Sequence, residues 1–537
     1  MLQLNAASIR DRAGEWEATG TLLPQFDLEA MKAETKKAPV WVHVGAGNIF
    51  RIFIAQLQQE LLNKGLEKSG IIALDTSSAN QAELVYRPFD NLTLSATMNA
   101  DGSVSKEVMA AIAECLHADS SDAAFMDRAK EIFTAPSLQM VSFTITEKGY
   151  ALKDMKGEYL PAVQKDMAQG PGAPKSVMAL VTALLCARYE AGRLPLALVS
   201  MDNCSHNGEK LKASVVDLAK TWVEKGYVEA GFLDYLQDEK TVAFPWSMID
   251  KITPRPHKKV EELLAADGIA DMTPIVTANG GVYAPFVNAE RPQYLVVEDR
   301  FPNGRPALEK AGAYLTDRET VNMTEKMKVT TCLNPLHTAM SVYGCMLGYT
   351  LICDEMKDAD IVKLIRHLGY EEGLPVVTDP KILSPRAFLD EVVEQRLPNP
   401  FMPDAPQRIA TDTSQKVGVR FGETVKSYVA QGRSMDTLVS LPLALAGWLR
   451  YLLGVDDAGK AFEVSPDPLK EELQEKLSGI RLGEPDTYQG QLKEILQNES
   501  IFGVNLVDAG LSDKIEQMFV ELLEGPGAVR KALQKYL

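Results

Sequence analysis

Lys328, Asn334 and His337 lie in Thr324–Gly344, TEKMKVTTCLNPLHTAMSVYG, a segment otherwise dominated by apolar residues. A lysine and a histidine are costly to bury unless partnered, so packing alone does not account for them. An amine that can lose its proton, beside an amide and an imidazole, could deprotonate an alcohol and hold the oxygen left behind. The competing reading is a core helix whose lysine reaches solvent while Asn334 and His337 satisfy backbone groups.

A second motif suggests what would accept the electrons. Gly45-Ala46-Gly47 follows the apolar run Val40–Val44 (VWVHV) and opens an amphipathic stretch, IFRIFIAQLQQELLNKG. The first glycine permits a sharp turn, the second lets the backbone approach a pyrophosphate, and the helix N-terminus supplies amides. Asp75 closes the next apolar run, Ile71–Leu74, where a carboxylate could bind ribose hydroxyls and disfavour a 2′-phosphate, pointing to NAD. The third glycine of the full fingerprint is missing, and Phe50-Arg51 stand nearby. A turn of this kind would also serve a methyltransferase that binds S-adenosylmethionine. The candidate cofactor-binding set is Gly45, Gly47, Asn48, Arg51, Asp75, Thr146 and Glu147.

The elements that must carry these residues fall into two halves. Apolar runs at 40–44, 71–74, 138–145 and 196–200 alternate with helical patterns, which predicts an α/β, Rossmann-type doubly wound parallel sheet. Ligands of such sheets gather at the carboxyl ends of the strands. From about Val321 the patterns are long and helical, punctuated by Pro, Gly, Asp and Asn. The boundary is set near Asp299–Asn303, giving a nucleotide-binding domain over 1–299 and a mainly α-helical domain over 300–537.

At 537 residues the chain is too long for one core. The net charge of −17 argues against nucleic acid as a partner, though a locally cationic pocket could still take an anionic substrate. Six cysteines without CxxC spacing read as reduced thiols rather than a structural zinc site. No apolar run approaches the length of a membrane span, and the N-terminus lacks a signal-peptide pattern. A cytoplasmic address is expected.

Four further segments, read in order after the GAG turn, carry a resemblance. They are TITEKGY (144–150), SMDNCSHNG (200–208), FPWSMIDKITP (244–254) and EKMKVTTCLNPLH (325–337), supported by FPNGRPALEKAG and RIATDTSQK. Together they resemble the mannitol dehydrogenase family, the polyol-specific long-chain dehydrogenases and hexuronate reductases, over nearly the whole chain. The resemblance implies NAD(P)-dependent oxidation of a secondary alcohol without a metal. It further implies Lys328 as general base, Asn203 and Asn334 as amides that hold the reacting oxygen, and His337 as the residue that positions a substrate hydroxyl. Arg408 and Lys416 match basic positions near the substrate, and Arg408 suits a bidentate carboxylate clamp.

The remaining candidates have plainer alternatives. Asp250 and Lys251 could contact substrate, with a surface ion pair as the default. Glu325 could relay a proton or simply be solvated, Lys326 is the rival base, and Asp202 is expected to orient its loop. His43 is expected to be a satisfied core histidine, and His206 to be exposed.

One spacing departs from the family. Its lysine usually precedes the asparagine by five residues, whereas Lys328 precedes Asn334 by six. Lys328 and His337 are nine residues apart, on opposite faces of a regular helix. An irregular turn within Val329–Leu333, such as a π-bulge, is therefore expected. The substrate expectation is a small keto-sugar acid, fructuronate or a stereoisomer such as tagaturonate, reduced to its aldonate. The alternative is a neutral polyol such as mannitol or arabinitol, with fructose as the ketose partner of mannitol.

Overall fold

Short apolar runs ending in polar or glycine residues form a six-stranded, all-parallel sheet in a computed structural model that describes residues 1–154 and 156–537. Its strands are β1 (Trp41–Val44), β2 (Ile71–Asp75), β3 (Ile112–His117), β4 (Met140–Phe143), β5 (Leu196–Ser200) and β6 (Val242–Ala243). Their spatial order is β3-β2-β1-β4-β5-β6. That is the Rossmann order, and its switch point falls between β1 and β4, where such sheets bind dinucleotides. The expected α/β doubly wound class is observed.

Alternation along each strand explains the two layers of core. Val42, Val44, Ile72 and Leu74 pack with the helices Ala123–Thr134, Val177–Glu190 and Asn207–Glu224. Trp41, Ile71, Ala73, Met140 and Val199 pack on the opposite side with Phe53, Leu57 and Leu61. A four-stranded, a three-stranded and a two-stranded sheet also belong to this unit.

The Pro161–Glu190 stretch passes a length and mean-composition test for a membrane span, although no unbroken apolar run within it reaches that length. A turn at Gly170–Gly172 interrupts it, and the Val177–Glu190 part is buried in the core just described.

The chain divides into two units, Met1–Asn99 with Ser103–Asn322, and Ala100–Gly102 with Met323–Leu537. The division falls later than the expected Asp299–Asn303. The strand Tyr314–Thr316 pairs in parallel with Tyr294–Glu298, which binds the segment after residue 300 into the first unit.

In the second unit no strand is formed among the described residues of Met323–Leu537. Every residue of the helix Ser440–Tyr451 is buried. The helix has no cap from its own N-cap side chain; instead the Glu372 carboxylate accepts from the amides of Val439, Ser440 and Leu441 at 2.5, 2.6 and 2.7 Å. A buried carboxylate at a helix N-terminus satisfies orphan amides and opposes the positive end of the dipole. Tyr343, on the helix Asn334–Leu347, donates to the Leu443 carbonyl at 2.8 Å and lies over Gly447, where a Cβ would come within 2.6 Å of its ring.

Candidate active site

In the first unit the glycine turn lies at the carboxyl end of β1. Gly45 has φ +105°, and a Cβ there would sit 2.3 Å from the Thr144 carbonyl oxygen, so only glycine fits. A Cβ on Gly47 would meet nothing within 4 Å. That open ground beside a sterically tight turn suits a pyrophosphate approaching the backbone, with Asn48 part-exposed next to it.

Two expected cofactor ligands are corrected by their surroundings. Arg51 sits in the π-turn Phe50–Ile54 and is 1% exposed. Its guanidinium donates to Thr93 Oγ1 at 3.0 Å and to the Ala284 carbonyl at 2.8 Å, and packs over the Tyr86 ring. Tyr86 in turn donates to the Ala46 carbonyl at 2.7 Å, so Arg51 is linked to the glycine turn through Tyr86 rather than reaching a ligand. Asp75 is fully buried, and its carboxylate accepts from the amides of Ser77 and Ala82 at 3.0 and 3.2 Å. It organises the turn after β2 and offers no exposed oxygen to a ribose.

Asp202 holds two candidate loops together. Its carboxylate accepts from the amides of Ile145 and Thr146, both at 2.9 Å, and from Tyr150 Oη at 2.6 Å. Burial raises its pKa, and those three bonds to the ionised form oppose the rise. Thr146 has φ +65°, an uncommon and strained conformation for a β-branched residue, which the Asp202 contact helps to hold. Thr146 and Glu147 are exposed, and Glu147 pairs with Lys210. The expected orienting role of Asp202 is thus observed.

Asn203, the next residue, is exposed on the loop after β5. The base of that loop is fixed by Asn207, a residue without a role in the sequence reading. Its amide donates to the Ser247 carbonyl at 2.9 Å and to the Asp202 carbonyl at 3.1 Å, and it accepts from the Ser247 amide at 3.0 Å. An asparagine soon after a strand end was the available signal.

Asp250 is buried at the end of the strand Ser247–Asp250, and Lys251 donates to the Glu290 carbonyl at 2.6 Å. They are not a solvated surface pair. His43 is a core histidine as expected. Its ring nitrogens meet Ser142 Oγ at 2.6 Å and Thr144 Oγ1 at 2.8 Å, and burial lowers its pKa to about 3. His206 is exposed, its ring tilted against that of Trp246 with centroids 4.7 Å apart.

In the second unit the helix carrying Lys328 is irregular where the spacing requires it. Residues Lys328–Cys332 form a π-turn closed by the Leu333 amide on the Lys328 carbonyl at 3.1 Å. Leu333 leaves helical geometry, and a new helix starts at Asn334 with Pro335 in its first turn. The six-residue spacing is accommodated by this wider turn and break. Lys328 is 2% exposed, whereas Lys326 is 47% exposed and paired with Glu423 at 3.2 Å. The buried amine is the better candidate base.

His337 lies three residues into the new helix, with Nε2 buried and without a hydrogen-bond partner, 3.8 Å from Asp404. Burial lowers its pKa to about 4; Asp404 opposes the shift, and Arg420, Arg396 and Arg408 reinforce it. The imidazole is therefore neutral near pH 7.

Arg408 is 63% exposed and paired with Asp404. Lys416 donates to the carbonyls of Ile409 and Thr411, and burial, helped by Arg420, lowers its pKa. Arg420 and Asp404 escaped the sequence reading. Arg420 follows the RIATDTSQK segment by only four residues, and that proximity was the one signal for it. Among the described residues no three His, Cys, Asp or Glu side chains converge as a metal site would need.

Residues 39–310 match the mannitol dehydrogenase Rossmann domain, and residues 320–523 match the mannitol dehydrogenase C-terminal domain. The chain belongs to the mannitol dehydrogenase family. Within that family it is 51% identical over 538 residues to the D-mannonate oxidoreductase of Thermotoga maritima, covering 99% of each chain. It is 30% identical to the D-mannonate oxidoreductase of Escherichia coli, covering 87% of this chain and 89% of the relative. Among solved structures, the mannitol 2-dehydrogenase of Pseudomonas fluorescens, in a ternary complex with NAD and D-mannitol, aligns with a TM-score of 0.68. It is 26% identical, and the match covers 99% of both chains. Family membership makes the protein an oxidoreductase with a Rossmann-type domain and a helical C-terminal domain.

Proposed function

We propose that the protein is an NAD-dependent dehydrogenase interconverting a keto-sugar acid and its aldonate, with fructuronate and mannonate as the first pair to test. The observation that carries this reading is the 51% identity, over 99% of both chains, to a relative named D-mannonate oxidoreductase. The open ground at Gly47 supports a dinucleotide, and NAD is the cofactor bound by the Pseudomonas fluorescens relative.

NAD supplies the acceptor and donor of the hydride. In the oxidation direction Lys328 removes the proton from the reacting hydroxyl, and burial is the environment that favours a neutral amine. Asn203 and Asn334 donate their amide hydrogens to the oxygen as it gains charge, without adding net charge. His337, neutral near pH 7, presents one ring nitrogen to a neighbouring substrate hydroxyl. Arg408 and Lys416 add positive charge for an acidic substrate. A cytoplasmic location fits six cysteines that no disulfide joins.

A polyol reading keeps support from the mannitol 2-dehydrogenase alignment. The deciding experiment follows NADH oxidation with fructuronate, tagaturonate and fructose in parallel. Turnover of a uronate without fructose is the expected result. Turnover of fructose alone would replace the acidic-sugar reading with the polyol one.

A further inference from the structure

Arg408 and Arg420, which both act on His337, and Lys416 beside them differ in what already neutralises them. Arg408 is mostly exposed and shares its charge with Asp404. Lys416 is directed to two backbone carbonyls. Arg420 donates to Thr338 Oγ1, the hydroxyl next to His337, and no carboxylate of the described residues pairs with it. Burial lowers its pKa to about 10, far above neutrality, so it is a charged guanidinium without a counter-ion. A part-buried charge of this sort is incompletely compensated until an anion arrives.

The backbone holds Arg420 firmly. It sits in the π-turn Gly418–Gly422, whose two end glycines press against residues 501–503. A Cβ on Gly418 would lie 2.7 Å from the Ile501 carbonyl oxygen, and one on Gly422 would lie 1.8 Å from that of Phe502. The turn is therefore seated by backbone contact at both ends. Among the cations acting on the His337 ring, Arg420 has the largest effect.

We infer that Arg420, rather than Arg408, binds the carboxylate of the substrate, with Thr338 fixing the orientation of its guanidinium. This rests on the acidic-sugar reading above and names the group that discriminates acidic from neutral substrates. Bringing that carboxylate to Arg408 would set it beside Asp404, and like charges oppose one another there. At Arg420 the same carboxylate supplies the missing counter-ion, and the planar fork allows two parallel hydrogen bonds.

The test compares wild type, Arg420→Gln, Arg420→Lys and Arg408→Gln by steady-state kinetics with fructuronate and fructose, with thermal stabilisation by NADH as control. In Arg420→Gln the KM for fructuronate is expected to rise at least ~10-fold, the equivalent of one charge-assisted contact. Arg420→Lys keeps the charge that the fold accommodates and loses the fork, so it should fall between the two. Arg408→Gln should change KM for fructuronate less than Arg420→Gln does. Unchanged fructuronate KM in both Arg420 variants, or a larger effect from Arg408→Gln, would overturn the inference alone. Wild type inactive on every uronate but active on fructose would overturn the acidic-sugar reading and this inference with it.

Discussion

At the scale of single residues, burial separates the two lysines of the Lys326–Lys328 segment. Lys326 reaches solvent and spends its charge on Glu423, while Lys328 is enclosed in the π-turn. A general base contributes about 10²- to 10⁴-fold to rate. Lys328→Ala should therefore lower kcat by at least ~100-fold while NADH affinity, read by fluorescence quenching, stays near wild type. Lys326→Ala should keep most of the activity. If the two variants exchanged these behaviours, the assignment of the base would pass to Lys326. Asp75 and Arg51 show the opposite lesson, since residue type and position promised ligands and both side chains instead serve the fold. Nothing in a linear sequence distinguishes a carboxylate that faces a ribose from one that faces its own downstream amides.

At the scale of elements, the buried Glu372 carboxylate takes three amides at the start of the Ser440–Tyr451 helix and lies 3.2 Å from His367 Nδ1. That contact raises the pKa of His367. Glu372→Gln removes the charge and one acceptor from a buried cap, and hydrogen bonds to charged groups contribute about 1.5–3 kcal/mol each. Chemical denaturation should show a loss of roughly 2 kcal/mol or more. An unchanged midpoint with an unchanged slope would mean that the helix start is satisfied in another way. The strands at 41–44, 71–75, 140–143 and 196–200 were legible because apolar runs punctuated by polar residues have few alternatives. The irregular turn after Lys328 was legible for a different reason, a one-residue excess over the family spacing. The Tyr314–Thr316 strand was not, because three residues of a short parallel pairing leave little periodic signal, and the domain boundary shifted with it. Arg420 was missed because its meaning lies in an absent counter-ion, which a sequence does not display.

At the scale of the whole molecule, three buried groups set opposing dependences of stability on pH. His43 and His337 have folded pKa values of about 3 and about 4, below the ordinary value of 6.5. Between those values and 6.5 the unfolded chain holds more protons than the folded one, so both groups make stability rise with pH, and their penalty is gone above 6.5. Glu355 acts in the other direction. Its carboxylate is buried with both oxygens unpartnered, pressed where a Cβ on Gly344 would stand, and burial raises its pKa from 4.5 to about 9. Here the folded chain holds the extra proton, so stability is fully present below 4.5 and declines as pH rises towards 9. From 4.5 to 6.5 the two histidines outweigh the single glutamic acid; above 6.5 only Glu355 is left to act. Buried Cys332 and Cys345, raised to about 12, extend the decline beyond pH 9. The contribution of these groups therefore peaks near pH 6.5, and on the alkaline side the slope is about 1.4 kcal/mol per pH unit for one proton. Glu355→Gln cannot ionise, so its denaturation free energy should gain on wild type by about that amount for each unit between pH 6.5 and 9. The slope is the quantity to compare, because any fixed cost of packing a glutamine there shifts the whole curve equally. Parallel curves for variant and wild type would show that Glu355 is already ionised at neutral pH, with its charge compensated in the folded protein.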